Sequence, residues 1–247
     1  MEKMKIYVAT HKHFEQCADK NLYEPLVVGA YKNNVNYDTK DNTGDNISVK
    51  NADYCELTGQ YWIWKNDDSD ITGLTHYRRY FYKNRHILTA NEVKKILCKN
   101  DLIIANKRYL TKSIYDIYKE SSLQPYLTEL IRIFESEYPE YYPYFDNALK
   151  EKYTYPCNML ICKKEVFNQY SEWLFDILFK LEKRINDNTK IKKEPRAYGF
   201  LSENMLITYI MKNNLKYTTL PVYNTEVSVI KQILLDKVYY IYGKCKN

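Results

Sequence analysis

Glycine is scarce in this chain, at six in 247 residues. No G-x-x-x-x-G-K-[ST] segment occurs, so no P-loop is present, and no G-x-G-x-x-G follows a strand. A G-x-S-x-G elbow is missing too. Seven prolines exclude a collagenous or linker-like stretch. The six cysteines are Cys17, Cys55, Cys98, Cys157, Cys162 and Cys245. They form no C-x-x-C pair, and no histidine spacing completes a zinc site. They are expected to be reduced thiols of a cytoplasmic protein, with Cys157 and Cys162 acting as small hydrophobes. No apolar run approaches the roughly 20 residues that span a bilayer. Met1–Lys5 leads directly into Ile6-Tyr7-Val8-Ala9, without a signal-peptide core. The expectation is a soluble or peripheral protein.

What is present suits a globular enzyme. Hydrophobic residues make up 45% and charged residues 28%, and the length fits one domain spanning residues 1–247. Tyrosine is abundant, at 27 residues. Such rings serve carbohydrate sites, but an AT-rich genome also produces them. The net charge of +6 is spread out. It forms no basic stripe interleaved with aromatics, so nucleic acid is disfavoured as a partner. Lys190-Ile191-Lys192-Lys193 reads as a solvated loop or as a contact with an anionic leaflet.

Short apolar runs at Ile6–Ala9, Ile71–Thr75, Asp101–Ala105, Asn158–Cys162 and Lys216–Val222 read as strands. Helices are expected from about Asp53, over Thr89–Lys99 with a Thr89/Glu92 capping box, over Pro125–Tyr138, over Lys164–Ile185 and over Ser202–Lys212. This alternation predicts an α/β fold with a largely parallel sheet flanked by helices.

Ligands of such sheets sit beyond the carboxyl ends of the strands. That rule selects Thr10, His11 and Lys12 after the first strand, and His76, Tyr77, Arg78 and Arg79 after the second. Arginines grip phosphate oxygens in pairs, so this cluster fits a diphosphate. The plainer alternative pairs one Arg with a carboxylate at the core edge. Asp67, Asp68 and Asp70 fall at the amino end, away from the site. Within the polar loop Asp41–Asn46, Asp45 and Asn46 could grip ribose or base, or hold only their own backbone. Asn158 could bond sugar hydroxyls or cap its strand. Glu203 could serve as general base or stand as a helix-start charge after an N-cap at Ser202. A helix-start position would lower its pKa.

Several segments carry a family resemblance. Tyr7-Val8-Ala9-Thr10-His11-Lys12, Asp41-Asn42-Thr43-Gly44-Asp45-Asn46-Ile47-Ser48, Tyr54-Cys55-Glu56-Leu57-Thr58, Tyr61-Trp62-Ile63-Trp64-Lys65 and Gly73-Leu74-Thr75-His76-Tyr77-Arg78-Arg79-Tyr80-Phe81 occur in that order. Asn158-Met159-Leu160-Ile161, Glu172-Trp173-Leu174-Phe175 and Gly199-Phe200-Leu201-Ser202-Glu203-Asn204 extend them. The chain resembles a bacterial family long catalogued as a domain of unknown function and linked to capsular and exopolysaccharide glycosyltransferases. The resemblance implies a GT-A-like fold, with its N-terminal part binding nucleotide and its C-terminal part the acceptor. It implies transfer of a sugar, with galactofuranose or galactose suggested, from a UDP-sugar donor to a lipid-linked glycan. The work would be done at the inner face of the plasma membrane. An Asp-x-Asp metal motif usually follows a central strand in such enzymes, and here His76-Tyr77-Arg78-Arg79 stands in that place. No metal ligand and no cofactor are therefore assigned. The competing reading is a non-catalytic glycan- or nucleotide-binding subunit of the polysaccharide machinery.

Overall fold

The first apolar run lies inside strand β1 (Met4–Thr10), where Ile6 and Val8 are fully buried. The computed structural model describes residues 2–227; Cys245 lies outside them. Beside β1 run β2 (Tyr23–Val27) and the edge strand β3 (Thr39–Lys40), and β4 (Ile71–His76) lies on its other side, all parallel. A reversal at the end of β4 leads into β5 (Arg79–Lys83) and β6 (His86–Ile87). β7 (Leu102–Ala105) precedes β8 (Arg108–Tyr109), which pairs with β9 (Tyr153–Thr154) in a separate ribbon. β10 (Leu160–Lys163) inserts between β4 and β7, antiparallel to both. β11 (Tyr217–Leu220) lies parallel to β7, and β12 (Val222–Asn224) turns back onto β5. The spatial order is β11-β7-β10-β4-β1-β2-β3. This is the mostly parallel α/β sheet expected of a GT-A-like fold, with one strand reversed inside it.

The side-chain alternation of the strands divides the core between the two faces. Tyr7, Ala9, Leu74, Leu102, Ile104, Leu160 and Cys162 point into the larger half. Ile6, Val8, Ile103 and Ile161 point into the smaller half. The larger face carries α1 (Asn51–Tyr54), α2 (Leu57–Asn66) and, further along the chain, most of the remaining helices. The smaller face carries α3 (Ala90–Leu97) and the β5–β6 hairpin. The capping box read from Thr89 and Glu92 is formed at the start of α3. α4 (Ile114–Lys119), α5 (Gln124–Glu137) and α6 (Tyr142–Lys150) lead to the 24-residue α7 (Lys164–Asp187). The chain then forms α8 (Ala197–Ser202) and α9 (Met205–Lys212). No helix of the described residues is long and apolar enough to cross a membrane. The backbone fits tightly at the centre of the sheet. A Cβ at Gly73 would stand 2.7 Å from the Leu160 carbonyl oxygen on the neighbouring strand.

Four sequence readings are corrected. The helix expected from Asp53 is two helices, α1 and α2, parted at Cys55, whose φ of 53° breaks the helical ladder. Asn158 does not open a strand. It ends a short turn at φ 50°, and β10 begins two residues later. The helix expected over Ser202–Lys212 is split, and Ser202 ends α8 instead of capping a helix. Its hydroxyl shares its one proton between the Gly199 carbonyl at 2.9 Å and Asn158 Oδ1 at 3.0 Å. The strand expected over Lys216–Val222 is divided into β11 and β12 at Pro221, which has no amide to donate.

Candidate functional site

Beyond the carboxyl edge of β1 and β4 lies a cleft of about 620 Å³. One wall descends from the end of β4. His76 is its last residue, Tyr77 and Arg78 make the reversal, and Arg79 opens β5. His76 Nε2 lies 2.8 Å from the carbonyl oxygen of Cys157. A carbonyl only accepts, so Nε2 carries the proton and Nδ1 keeps its lone pair. Burial lowers the pKa of His76, against the opposing pull of Glu56. His11 sits edge-on to Tyr77, with ring centroids 5.4 Å apart. Burial lowers its pKa as well, helped by Lys12 and Arg78.

The arginines of this wall differ. Arg78 stacks 4.9 Å from the Tyr77 ring centroid, and its Nη1 lies 2.9 Å from Glu226. Glu226 is itself half-exposed, whereas the plainer sequence alternative placed the carboxylate partner at the core edge. Its buried Nε has no hydrogen-bond partner among the described residues. Arg79 is half-buried, and its guanidinium has no hydrogen bond or ion pair among the described residues. Its charge still reaches Glu203, Cys157 and His76. Arg108 and Arg196 complete a set of four arginines lining the cleft.

The opposite wall carries two carboxylates, Glu56 and Glu203. Glu203 follows α8 in the break before α9, and its side chain is 16% exposed. Its Oε1 accepts the Cys157 amide at 2.7 Å, and Oε2 lies 3.8 Å from Arg108. Burial pushes its pKa up to about 7, against those stabilising neighbours. The lowering expected from a helix start is therefore corrected: Glu203 stands behind a helix, not at the head of one. Glu56 accepts from Asn158 Nδ2 at 2.8 Å, and the same amide bonds the Gly199 carbonyl at 3.1 Å. Asn158 is buried, so it fastens Glu56 and α8 from behind the cleft surface.

The cleft backbone is strained. Seven non-glycine residues have positive φ among the described residues, and Cys55, Cys157, Asn158 and Arg196 of these gather here. Such conformations persist only where surroundings enforce them, and they concentrate at functional sites. Cys55 and Cys157 are held protonated, burial pushing each up to about 11.

Of the residues selected from sequence, His11, His76, Tyr77, Arg78, Arg79 and Glu203 share the cleft. Thr10 is buried, and its hydroxyl closes a turn with Lys12. Lys12 lies over the Tyr77 ring at 5.1 Å. Asp45 and Asn46 are not among the residues lining the cleft. Asp45 accepts from Tyr61 on α2, and Asn46 turns onto its own loop. Asp41 from that loop is fully buried and receives the amides of Gly29 and Ala30 and the Ser48 hydroxyl. Asp67, Asp68 and Asp70 lie at the amino end of β4. There they engage Tyr7, Ser69, Lys164 and Lys3. Among the described residues, no three His, Cys, Asp or Glu side chains converge as a metal-binding group.

Sequence reasoning passed over Glu56, Arg108 and Arg196. Arg108 had a usable signal, because it follows the carboxyl end of β7 by three residues. Glu56 and Arg196 owe their positions to backbone breaks that no periodicity announces.

No curated protein matches the chain. A solved structure, the apo form of WbbM, described as a bifunctional glycosyltransferase, is 30% identical with a TM-score of 0.74. The match covers 90% of this chain and 45% of that one, so the chain spans less than half of that protein. The sequence profile of DUF4422, a domain of unknown function, matches residues 5–214. With most of its length inside that profile, the chain belongs to the DUF4422 family.

Proposed function

We propose that the chain is a glycosyltransferase that moves a sugar, galactofuranose or galactose, from a UDP-sugar to a lipid-linked glycan of a surface polysaccharide. The observation that carries this reading is the meeting, in one cleft, of four arginines with a buried carboxylate whose pKa lies near 7. The likeness to WbbM supports the same class of reaction.

In the proposed step Glu203 removes the proton of the acceptor hydroxyl as that oxygen attacks the anomeric carbon. The bond from that carbon to the UDP oxygen breaks, and its electron pair leaves with the diphosphate. Arg78 and Arg79 neutralise that developing charge, and His11 lines the same wall. Arg79 is the stronger candidate because no carboxylate occupies its guanidinium among the described residues. Thr10 and Lys12 shape the same wall, and Asn158 positions Glu56. Exposed Lys190, Lys192 and Lys193 offer a contact for an anionic leaflet. Calorimetric titration with UDP tests the donor half, and UDP release with a lipid-linked acceptor tests turnover. UDP failing to bind would overturn the reading, and UDP binding without turnover would favour a non-catalytic subunit.

A further inference from the structure

Phe200 is 39% exposed, yet it lines the cleft. It precedes Glu203 by three residues, and the Glu203 amide donates to the Phe200 carbonyl, so ring and carboxylate belong to one turn. The turn is pinned from outside. Tyr118 donates its hydroxyl to the Phe200 carbonyl at 2.8 Å and accepts from Asn204 Nδ2 at 2.8 Å. The Arg196 guanidinium lies 4.8 Å from the ring centroid and covers one face. No other cation and no aromatic ring covers Phe200 among the described residues. A fixed aromatic face carries negative charge density, which the positively polarised C–H groups of a sugar ring complement. Stacking leaves the sugar's hydroxyls free for polar partners, and Glu203 and Arg108 line the same cleft.

We propose that Phe200 is the acceptor platform: the terminal sugar ring of the acceptor lies on its free face and presents a hydroxyl to Glu203. The proposal rests on the transferase reading of the cleft and names the chemistry of its second substrate, a saccharide ring bound through an apolar C–H face.

Saturation-transfer NMR tests it without a complete acceptor. The probes are methyl β-D-galactopyranoside, methyl β-D-galactofuranoside and methyl β-D-glucopyranoside, each with and without UDP. The wild type is expected to transfer saturation to ring C–H protons of at least one glycoside. Phe200→Ala, with an unchanged melting curve and unchanged UDP affinity, is expected to lose about threefold or more of that signal. Phe200→Tyr is expected to keep it, which a merely structural role for the ring would not require. An undiminished signal in Phe200→Ala would overturn the proposal, and so would silence from every glycoside with the wild type. Glu203→Gln separates the two ideas. Retained turnover with a Phe200-dependent signal removes the base and leaves the platform standing.

Discussion

Replacing Glu203 by Gln tests the carboxylate wall through both stability and catalysis. Burial moves this pKa from 4.5 to about 7. A shift of that size means that ionising the buried group costs about 3 kcal/mol more than in the unfolded chain. The sign follows from proton binding. Between those two values the folded protein holds a proton that the unfolded chain has released, so stability falls as pH rises. Glutamine can still accept the Cys157 amide but cannot ionise. In urea titrations Glu203→Gln should exceed the wild type by under about 1 kcal/mol at pH 5 and by about 3 kcal/mol at pH 8. That cost is already net of the attraction to Arg108, which opposes the effect of burial. Turnover should move the other way and fall by roughly 10²–10⁴. In the wild type kcat should rise with pH through about 7, and the variant should lose that limb. A stability gap independent of pH, together with turnover within a few-fold of wild type, would refute both the burial argument and the base.

Three further outcomes are expected. Arg79→Ala should weaken UDP binding by about 1.5–3 kcal/mol by calorimetry. Arg78→Ala should cost less, because Glu226 already shares its charge; unchanged affinity in both variants would remove the wall from donor binding. UDP affinity should survive EDTA, because cationic side chains already face the cleft, whereas loss restored by manganese would put a metal in their place. Gly73→Ala should destabilise the chain by about 1–3 kcal/mol in denaturant, since its Cβ would press on the Leu160 carbonyl oxygen. A midpoint equal to wild type would mean that β10 yields more easily than a central strand should.

The sequence was most legible where periodicity and end signals agree. β1, β4 and β7 are short apolar runs, α3 carries its capping box, and α7 repeats an apolar stripe along its length. The carboxyl-edge rule then brought His76, Arg78 and Arg79 to the cleft, because it depends only on strand direction. It does not apply to β10, which runs antiparallel to its neighbours, and that reversal leaves no mark in its composition. β2 was missed because Pro25 interrupts its apolar run, although it pairs along β1. The carboxylate of Asp45 and the amide of Asn46 suggested a ligand contact, but Asp45 bonds Tyr61 on α2 and Asn46 holds its own loop, as turn chemistry alone would have it. Glu203 lines the cleft, but its local setting is not the helix start expected of it. Ser202 resembles an N-cap in letters, while its burial and its bonds to Asn158 and Gly199 belong to tertiary structure.

The Cys157 peptide has a mechanical role that its thiol does not reveal. Its amide holds Glu203 and its carbonyl holds His76, so one residue of left-handed backbone joins the two walls like the crossbar of a gauge. The separation of the Glu203 and His76 side chains is thereby tied, through two hydrogen bonds, to the span of one residue's backbone. Moving these two side chains apart would cost one of those two bonds. A change in the width of this cleft is therefore expected to come from residues outside that span.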